Sequence, residues 1–349
     1  MPLPSTQLQL VLAERPTGLL DPSRTFRAQR NPVPRPTGPN QVLVRSLYLS
    51  LDPAMRGWMR NVKSYIRPVD INEVMRGQVI GQVVESTSDR FKPGAYVFCS
   101  LGWQEYGVMR EKDLESIAIP DPSFPIELSL SLLGMTGMTA YFGLFDIGKP
   151  KPGETVVVSG AAGATGSLVG QMAKAHGCRV IGIAGGASKC RMLREDLGFD
   201  EALDYKDPGF AKALSHTVSQ PHGKGVDVFF DNVGGPVLDT VLPRINRGAR
   251  IVLCGAISQY NSEKPKGPAA YQVLISQRAR MEGFIIFDYQ DRFDEARKQL
   301  VTWHREGRLK VQLDIMDGLD KAPEGLLRLF NGSNTGKSLI RVGTTEAKI

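Results

Sequence analysis

The sequence predicts an α/β protein in two parts, a β-rich domain and a doubly wound parallel sheet. Three observations carry this reading. A short apolar run, residues 156–158, enters a glycine-rich turn that opens into a helix, in VVVSGAAGATGSLVGQMAKAHGC. Strand-like and helix-like segments then alternate. The first 120 or so residues hold strand-like stretches separated by Pro- and Gly-rich turns.

The glycine turn comes first because it constrains most. Val156, Val157 and Val158 read as a buried strand, and Gly160, Gly163 and Gly166 let the main chain turn tightly and approach a ligand that any Cβ would obstruct. Leu168, Val169, Met172 and Ala173 recur at helical spacing, with Gly177 as the stop. The free N–H groups and positive dipole end of such a helix favour a pyrophosphate. Beyond it follow RVIGIAG, KCRMLREDLG, EALDYK, PGFAKALSHTV, VDVFFDNVGG, PVLDTVLPRI, ARIVLCG, AAYQVLISQRAR and EGFIIFDY. This rhythm predicts that a dinucleotide lies across the carboxyl ends of a parallel sheet.

The end of the second strand decides which dinucleotide. An NAD site places an acid about 20 residues beyond the glycines, to accept from the ribose 2′-hydroxyl. This chain has Gly185, Gly186, Ala187, Ser188 and Lys189 there, which offer donors to a 2′-phosphate. NADP(H) is therefore expected over NAD(H), with Lys189 and Tyr205 of LDYK as phosphate partners. The competing reading makes Lys189 a solvated helix residue.

At 349 residues and 42% hydrophobic, the chain has material for two domains. Its net charge of +7 is spread along the sequence without a Lys/Arg run, so nucleic-acid binding is not indicated. Neither a targeting signature at the N-terminus nor a bilayer-spanning apolar stretch is read, and the expected location is cytoplasmic. Cys99, Cys178, Cys190 and Cys254 are scattered, and His176, His216, His222 and His304 lie in the second half; no metal is expected.

In the first part, QVLVRSLYLSLD, GQVIGQVVES and GAYVFCSLGWQEYGVM supply the strands, and PDPSFP marks the crossing at residues 120–125. HREGRLKVQLDIMDGLD, GLLRLFNG and GKSLIRVG lead back to the β-rich part. The expected domains are residues 1–125, completed by 315–349, and residues 126–314, with a substrate cleft between them.

LYLSLDPAMR, GMTGMTAYFGL, SGAAGATGS, FDNVGG, CGAISQYN and SNTGKSLIRV together resemble the zinc-independent medium-chain dehydrogenase/reductases, within them the NADPH-dependent alkenal/one double-bond reductases. That resemblance implies a GroES-like domain, a Rossmann domain and a homodimer formed by sheets joining edge to edge. It also implies hydride transfer from NADPH to the β-carbon of an α,β-unsaturated ketone or aldehyde, then protonation of the α-carbon. By position, Gly163, Ala164, Thr165 and Gly166 would cradle the pyrophosphate, and Lys189 and Tyr205 the 2′-phosphate. Asn232, Cys254, Gly255, Ala256, Ile257, Ser258, Tyr260, Phe284, Ile285, Ile286 and Asn334 would line the rest of the cofactor. Met135 and Thr139 would stand near the nicotinamide.

Such a reduction asks the protein for position and electrostatics, because the cofactor carries the hydride. Tyr260 is the expected catalytic residue, a neutral phenol that donates to the developing enolate oxygen; the alternative donors are a cofactor ribose hydroxyl or water. Tyr48 is a candidate substrate contact against its ordinary reading as core, and Asp52 is read as a turn residue with Arg56 holding its loop. Ala54 stands where relatives in this family commonly carry a tyrosine, which predicts a roomier pocket. The rival functions are an NADPH quinone or carbonyl reductase and a non-catalytic NADPH-binding protein.

Overall fold

The computed structural model describes residues 3–117, 124–220 and 225–343. The chain divides into two compact units: Met1–Leu130 with Leu313–Asn334 and Ser338–Ile349, and Ser131–Gln312 with Thr335–Lys337. The division falls beyond the expected crossing, part of which, residues 120–123, lies outside the described residues.

The first unit opens with an antiparallel hairpin, β1 (Thr6–Leu12) and β2 (Phe26–Pro32), with the short helix α1 (Pro22–Thr25) in its connection. There follow β3 (Gln41–Ser50), the single turn α2 (Met55–Trp58), β4 (Val79–Ser86), β5 (Tyr96–Cys99), β6 (Tyr106–Arg110) and β7 (Glu115–Ser116). Strand β3 pairs with both β4 and β6 and is buried at eight of its ten positions, which is why QVLVRSLYLS reads as a nearly continuous apolar run. The core gathers Leu10, Leu12, Leu49, Met55 and Phe91 around the fully buried Trp103, whose ring stacks on Phe26 at 4.8 Å.

The second unit begins with α3 (Met135–Phe142) and a π-helical turn, Gly143–Gly148. It continues through β8 (Thr155–Ser159), α4 (Ala164–Ala175), β9 (Arg179–Ala184), α5 (Ala187–Glu195), β10 (Glu201–Asp204), α6 (Phe210–Ser219) and β11 (Val226–Asp231). The remainder is α7 (Gly235–Val241), β12 (Ile245–Leu253), α8 (Val273–Gln277), β13 (Arg280–Gly283) and α9 (Phe293–Arg305). The six strands pair in parallel in the order β10-β9-β8-β11-β12-β13, a doubly wound sheet whose strand order reverses at β8. Strand β8 is buried at every position. The chain then supplies β14 (Leu313–Asp317), α10 (Ala322–Asn331) and β15 (Lys337–Arg341), and the last of these pairs with β3.

One expected strand is displaced. The apolar segment EGFIIFDY was read as the last parallel strand, but β13 ends at Gly283 and Ile286–Arg292 forms a 3-10 helix. Phe284 leaves the sheet to line a groove and meets Tyr289 edge to face at 6.4 Å, so its burial comes from aromatic packing rather than from a strand pair.

Candidate functional site

Within the second unit, the candidate residues follow the carboxyl ends of successive strands. After β8, the chain turns at Gly160 and enters α4. Gly160 has φ +58°, a conformation that disfavours a side chain, and a Cβ on Gly166 would stand 2.4 Å from the Gly160 carbonyl oxygen, which leaves no space for one. The first helical N–H to find an acceptor is that of Ser167, on the Gly163 oxygen at 3.0 Å. Those of Ala164, Thr165 and Gly166 have no acceptor among the described residues, which leaves three donors at the positive end of a twelve-residue helix. This cradle fits a pyrophosphate. Gly336 closes one side of the turn, its N–H donating to the Ala162 oxygen at 2.9 Å; Asn334, two residues earlier, belongs to the first unit.

After β9, Gly185 and Gly186 lead into α5, which carries Lys189 in its first turn. Tyr205 and Lys206, just beyond β10, lie against Gly185, where a Cβ would stand 2.9 Å from the Tyr205 ring and 3.1 Å from the Lys206 stem. Tyr205 is 44% exposed. Asp204 fastens this corner: one carboxylate oxygen accepts from Gly186 N and Lys206 N, each at 2.9 Å, and these hydrogen bonds hold its carboxyl below the ordinary range. Lys206 and Asp204 escaped the sequence reading. An acid was sought at the end of the second strand, whereas this one ends the third and binds backbone.

After β11, the buried Asp231 accepts from Ser159 Oγ at 2.6 Å, from Val233 N at 3.0 Å and from Gly234 N at 3.0 Å, tying the ends of β8 and β11 together. Burial raises its carboxyl pKa, and the hydrogen bonds from Ser159, Gly234 and Val233 oppose that rise. The Asn232 amide nitrogen donates to Ser159 O at 2.7 Å. On this base rests the segment after β12. Cys254 N and Gly255 N donate to Asp231 O, Ile257 N to Asn232 O, and Ser258 N and Oγ to Val233 O. Tyr260 Oη accepts from Ala256 N at 3.2 Å, which fixes the phenol over its own loop.

A groove of about 660 Å³ opens here, bordered by Cys254, Gly255, Ala256 and Tyr260 from one side and Phe284 and Ile285 from the other. Gln259, within the segment expected to line the cofactor, borders it too, and so do Lys266 and Asp288, which no sequence motif pointed to. Ile257, Ser258 and Ile286 are not among its lining residues. The Cys254 thiol is pushed up to about 12, by burial first and then by the Asp231 charge, so it stays protonated at neutral pH.

Met135 and Thr139 share one partly exposed face of α3. In the first unit, Tyr48 is buried in β3 among Leu47, Ile80, Leu130 and Leu339, and burial raises its phenol pKa, helped by Glu127. Asp52 accepts from Ser50 Oγ, and Ala54 caps α2. Arg56 is buried and donates to Pro16 O and Gly18 O at 2.8 Å each. All four cysteines are free thiols. His222 lies outside the described residues, and among those described no three metal-ligating side chains converge.

A family described as the N-terminal domain of oxidoreductase matches residues 8–117, and one described as zinc-binding dehydrogenase matches residues 164–302. The NADPH-dependent curcumin reductase of Escherichia coli is 45% identical over 95% of this chain and 96% of its own. The NADP(+)-dependent 2-alkenal reductase of Nicotiana tabacum is 40% identical over 88% of this chain and 89% of its own. The crystal structure of CurA in complex with NADPH from Vibrio vulnificus superposes with a TM-score of 0.90 at 42% identity, covering 97% of this chain and 99% of that one. With its doubly wound sheet, glycine turn and full-length likeness to these reductases, the chain belongs to the alkenal/one double-bond reductase branch of the medium-chain dehydrogenase/reductases.

Proposed function

We propose that this protein reduces the carbon–carbon double bond of α,β-unsaturated ketones and aldehydes with NADPH. One observation carries the reading: open helix donors, a phosphate corner and a phenol follow consecutive strand ends of a single parallel sheet, in a chain 45% identical to a curcumin reductase. Bound NADPH would supply the hydride for the substrate's β-carbon, and a proton from water would complete the saturated product at the α-carbon. Ala164, Thr165 and Gly166 N–H groups would hold the pyrophosphate, and Lys189, Tyr205 and Lys206 the 2′-phosphate, on a loop that Asp204 keeps in shape. Tyr260 donates to the substrate oxygen as negative charge grows there. Accepting from Ala256 N–H strengthens the phenol as a donor, because hydrogen bonds in a chain polarise one another.

The second unit is the cofactor-binding domain in this reading. The assembly is a homodimer joined along β13, which forms one edge of the six-stranded sheet; Tyr271 and Ile275 nearby are 55% and 78% exposed. Four free thiols fit the reducing cytosol, where we place the protein; among the described residues no helix is long and apolar enough to cross a membrane.

The test follows NADPH and NADH oxidation by absorbance over enones, alkenals, quinones and simple aldehydes, with products identified. A saturated ketone or aldehyde, formed preferentially with NADPH, supports the reading. An alcohol or hydroquinone as the main product assigns the site to carbonyl or quinone reduction, and cofactor binding without any turnover removes the catalytic assignment.

A further inference from the structure

The second unit has another groove, at the opposite end of the sheet from the glycine turn. It encloses about 390 Å³ and is lined by Lys149, Lys151, Gly248, Arg250, Arg278 and Arg280. Two of its five cations are anchored. Arg250 pairs with Glu154 and donates to Gly148 O at 2.7 Å and Lys149 O at 2.8 Å. Arg280 pairs with Glu282 at 3.1 Å and donates to Ile147 O at 2.9 Å. Lys149, Lys151 and Arg278 have no carboxylate within 4.0 Å among the described residues. Two fixed guanidinium groups thus stand beside three cations without a direct ion pair, although Lys151 lies within electrostatic reach of Glu154.

The backbone supplies an independent observation. Lys149 and Arg278 adopt left-handed conformations, with φ of 45° and 49°. The other described non-glycine residues with positive φ are Asn40 and Asn72, a residue type that tolerates this region. Lys149 caps the π-helical turn and Arg278 caps α8, positions where glycine is the ordinary choice. A cation earlier in either last turn would complement the helix dipole without that strain, which is about 1–2 kcal/mol per residue. Helix-end electrostatics therefore does not explain why both strained residues border one groove. Strained backbone of this kind gathers where a ligand is bound.

We propose that this groove binds a chain of two or three linked phosphates, free or as part of a nucleotide. A lone carboxylate leaves most of the charge uncompensated, whereas linked phosphates present several acceptor oxygens to guanidinium forks and ammonium groups together. The site is separate from the cofactor groove, and the proposal does not depend on the reductase reading.

The experiment titrates pyrophosphate, tripolyphosphate and ATP, with sulfate as control, into NADPH-saturated protein by calorimetry at fixed ionic strength. Saturation with NADPH fills the cofactor's own phosphate sites. Pyrophosphate and tripolyphosphate should bind about tenfold or more tightly than sulfate. ATP binding better than tripolyphosphate identifies a nucleotide, and equal binding identifies the phosphate chain alone. The double variant Lys149→Gly/Arg278→Gly keeps the left-handed backbone without strain, so it should fold, retain NADPH binding and lose about tenfold or more in pyrophosphate affinity. Lys151→Gln, which touches neither strained position, should weaken pyrophosphate binding as well. Absence of binding at millimolar pyrophosphate, equal binding of sulfate, or unchanged affinity in both variants overturns the proposal.

Discussion

The glycine turn offers the most direct test of the cofactor cradle, because its three glycines should fail in different degrees when a methyl group is added. At Gly166 a Cβ would stand 2.4 Å from Gly160 O, 2.9 Å from Ala161 Cα and 3.0 Å from Gly160 C, all of them backbone atoms. Reaching even 3.0 Å from that oxygen requires the turn and α4 to separate by about 0.6 Å, and core overpacking that cannot be relieved by a rotamer change costs roughly 3 kcal/mol, the upper part of the usual range. At Gly160 there is room, the nearest atom being Asn232 Cβ at 3.4 Å, so Gly160→Ala should cost only the left-handed backbone, about 1–2 kcal/mol. At Gly163 the one close atom is Gly160 O at 3.2 Å, with φ at −83°, and the cost should stay below about 1 kcal/mol. The same displacement moves the Ala164, Thr165 and Gly166 donors. Losing one hydrogen bond to a charged phosphate is worth about 1.5–3 kcal/mol, so NADPH affinity should fall roughly 10- to 100-fold in Gly166→Ala. Differential scanning calorimetry and NADPH titration of the three variants measure both quantities. The reasoning is refuted if Gly166→Ala matches the parent in melting temperature and affinity, or if Gly163→Ala is the most damaging of the three.

Other predictions follow from the same geometry. Tyr260→Phe should lower kcat on 4-phenylbut-3-en-2-one by about tenfold or more while NADPH affinity holds, and unchanged kcat would remove the phenol from the transition state. Lys206→Ala should weaken NADPH binding by about tenfold and leave NADH binding unaffected, because only the former carries the 2′-phosphate; equal losses for both cofactors would refute its assignment. Burial raises the Glu154 pKa, but hydrogen bonds from Arg250 and Lys151 N outweigh it, so the folded carboxyl titrates below its ordinary 4.5. The ion pair therefore stabilises fully above that value, and its contribution is lost as pH falls through the folded pKa. Glu154→Gln should cost about 1–3 kcal/mol at neutral pH, and the melting temperatures of the two proteins should converge as pH falls below 4.5; a gap independent of pH would contradict this. If Ala54 leaves the pocket wider, Ala54→Tyr should lower kcat/KM for bulky aryl enones more than for short alkenals, measured by steady-state kinetics on both classes.

The centre of the parallel sheet was legible because β8, β9 and β11 are buried on both faces and end at Ser159, Ala184 and Asp231, so period and punctuation agree. The opening hairpin was less so. In β2 only the first residue, Phe26, is fully buried, and FRAQRNP carries no alternating apolar signal; its strand character comes from pairing with β1. The segment after Gly283 misled for the opposite reason. Its apolar residues face a groove and an aromatic cluster rather than neighbouring strands, and hydrophobicity alone does not distinguish the two.

The site divides along the same line, between what neighbours in sequence fix and what the fold must bring together. Tyr260 reaches back four residues to Ala256 N, so CGAISQY specifies the phenol's placement locally. Arg56 depends on carbonyls about 40 residues away, and no local pattern announces a guanidinium that will be buried against them. Ser159 and Asp231 are 72 residues apart and meet only because β8 and β11 are neighbours in the sheet. Their pairing carries the segment over which Tyr260 sits, since Cys254 and Gly255 hang from the Asp231 carbonyl. A candidate donor can thus be read from its motif, while the buried acid that steadies its support emerges only from strand order.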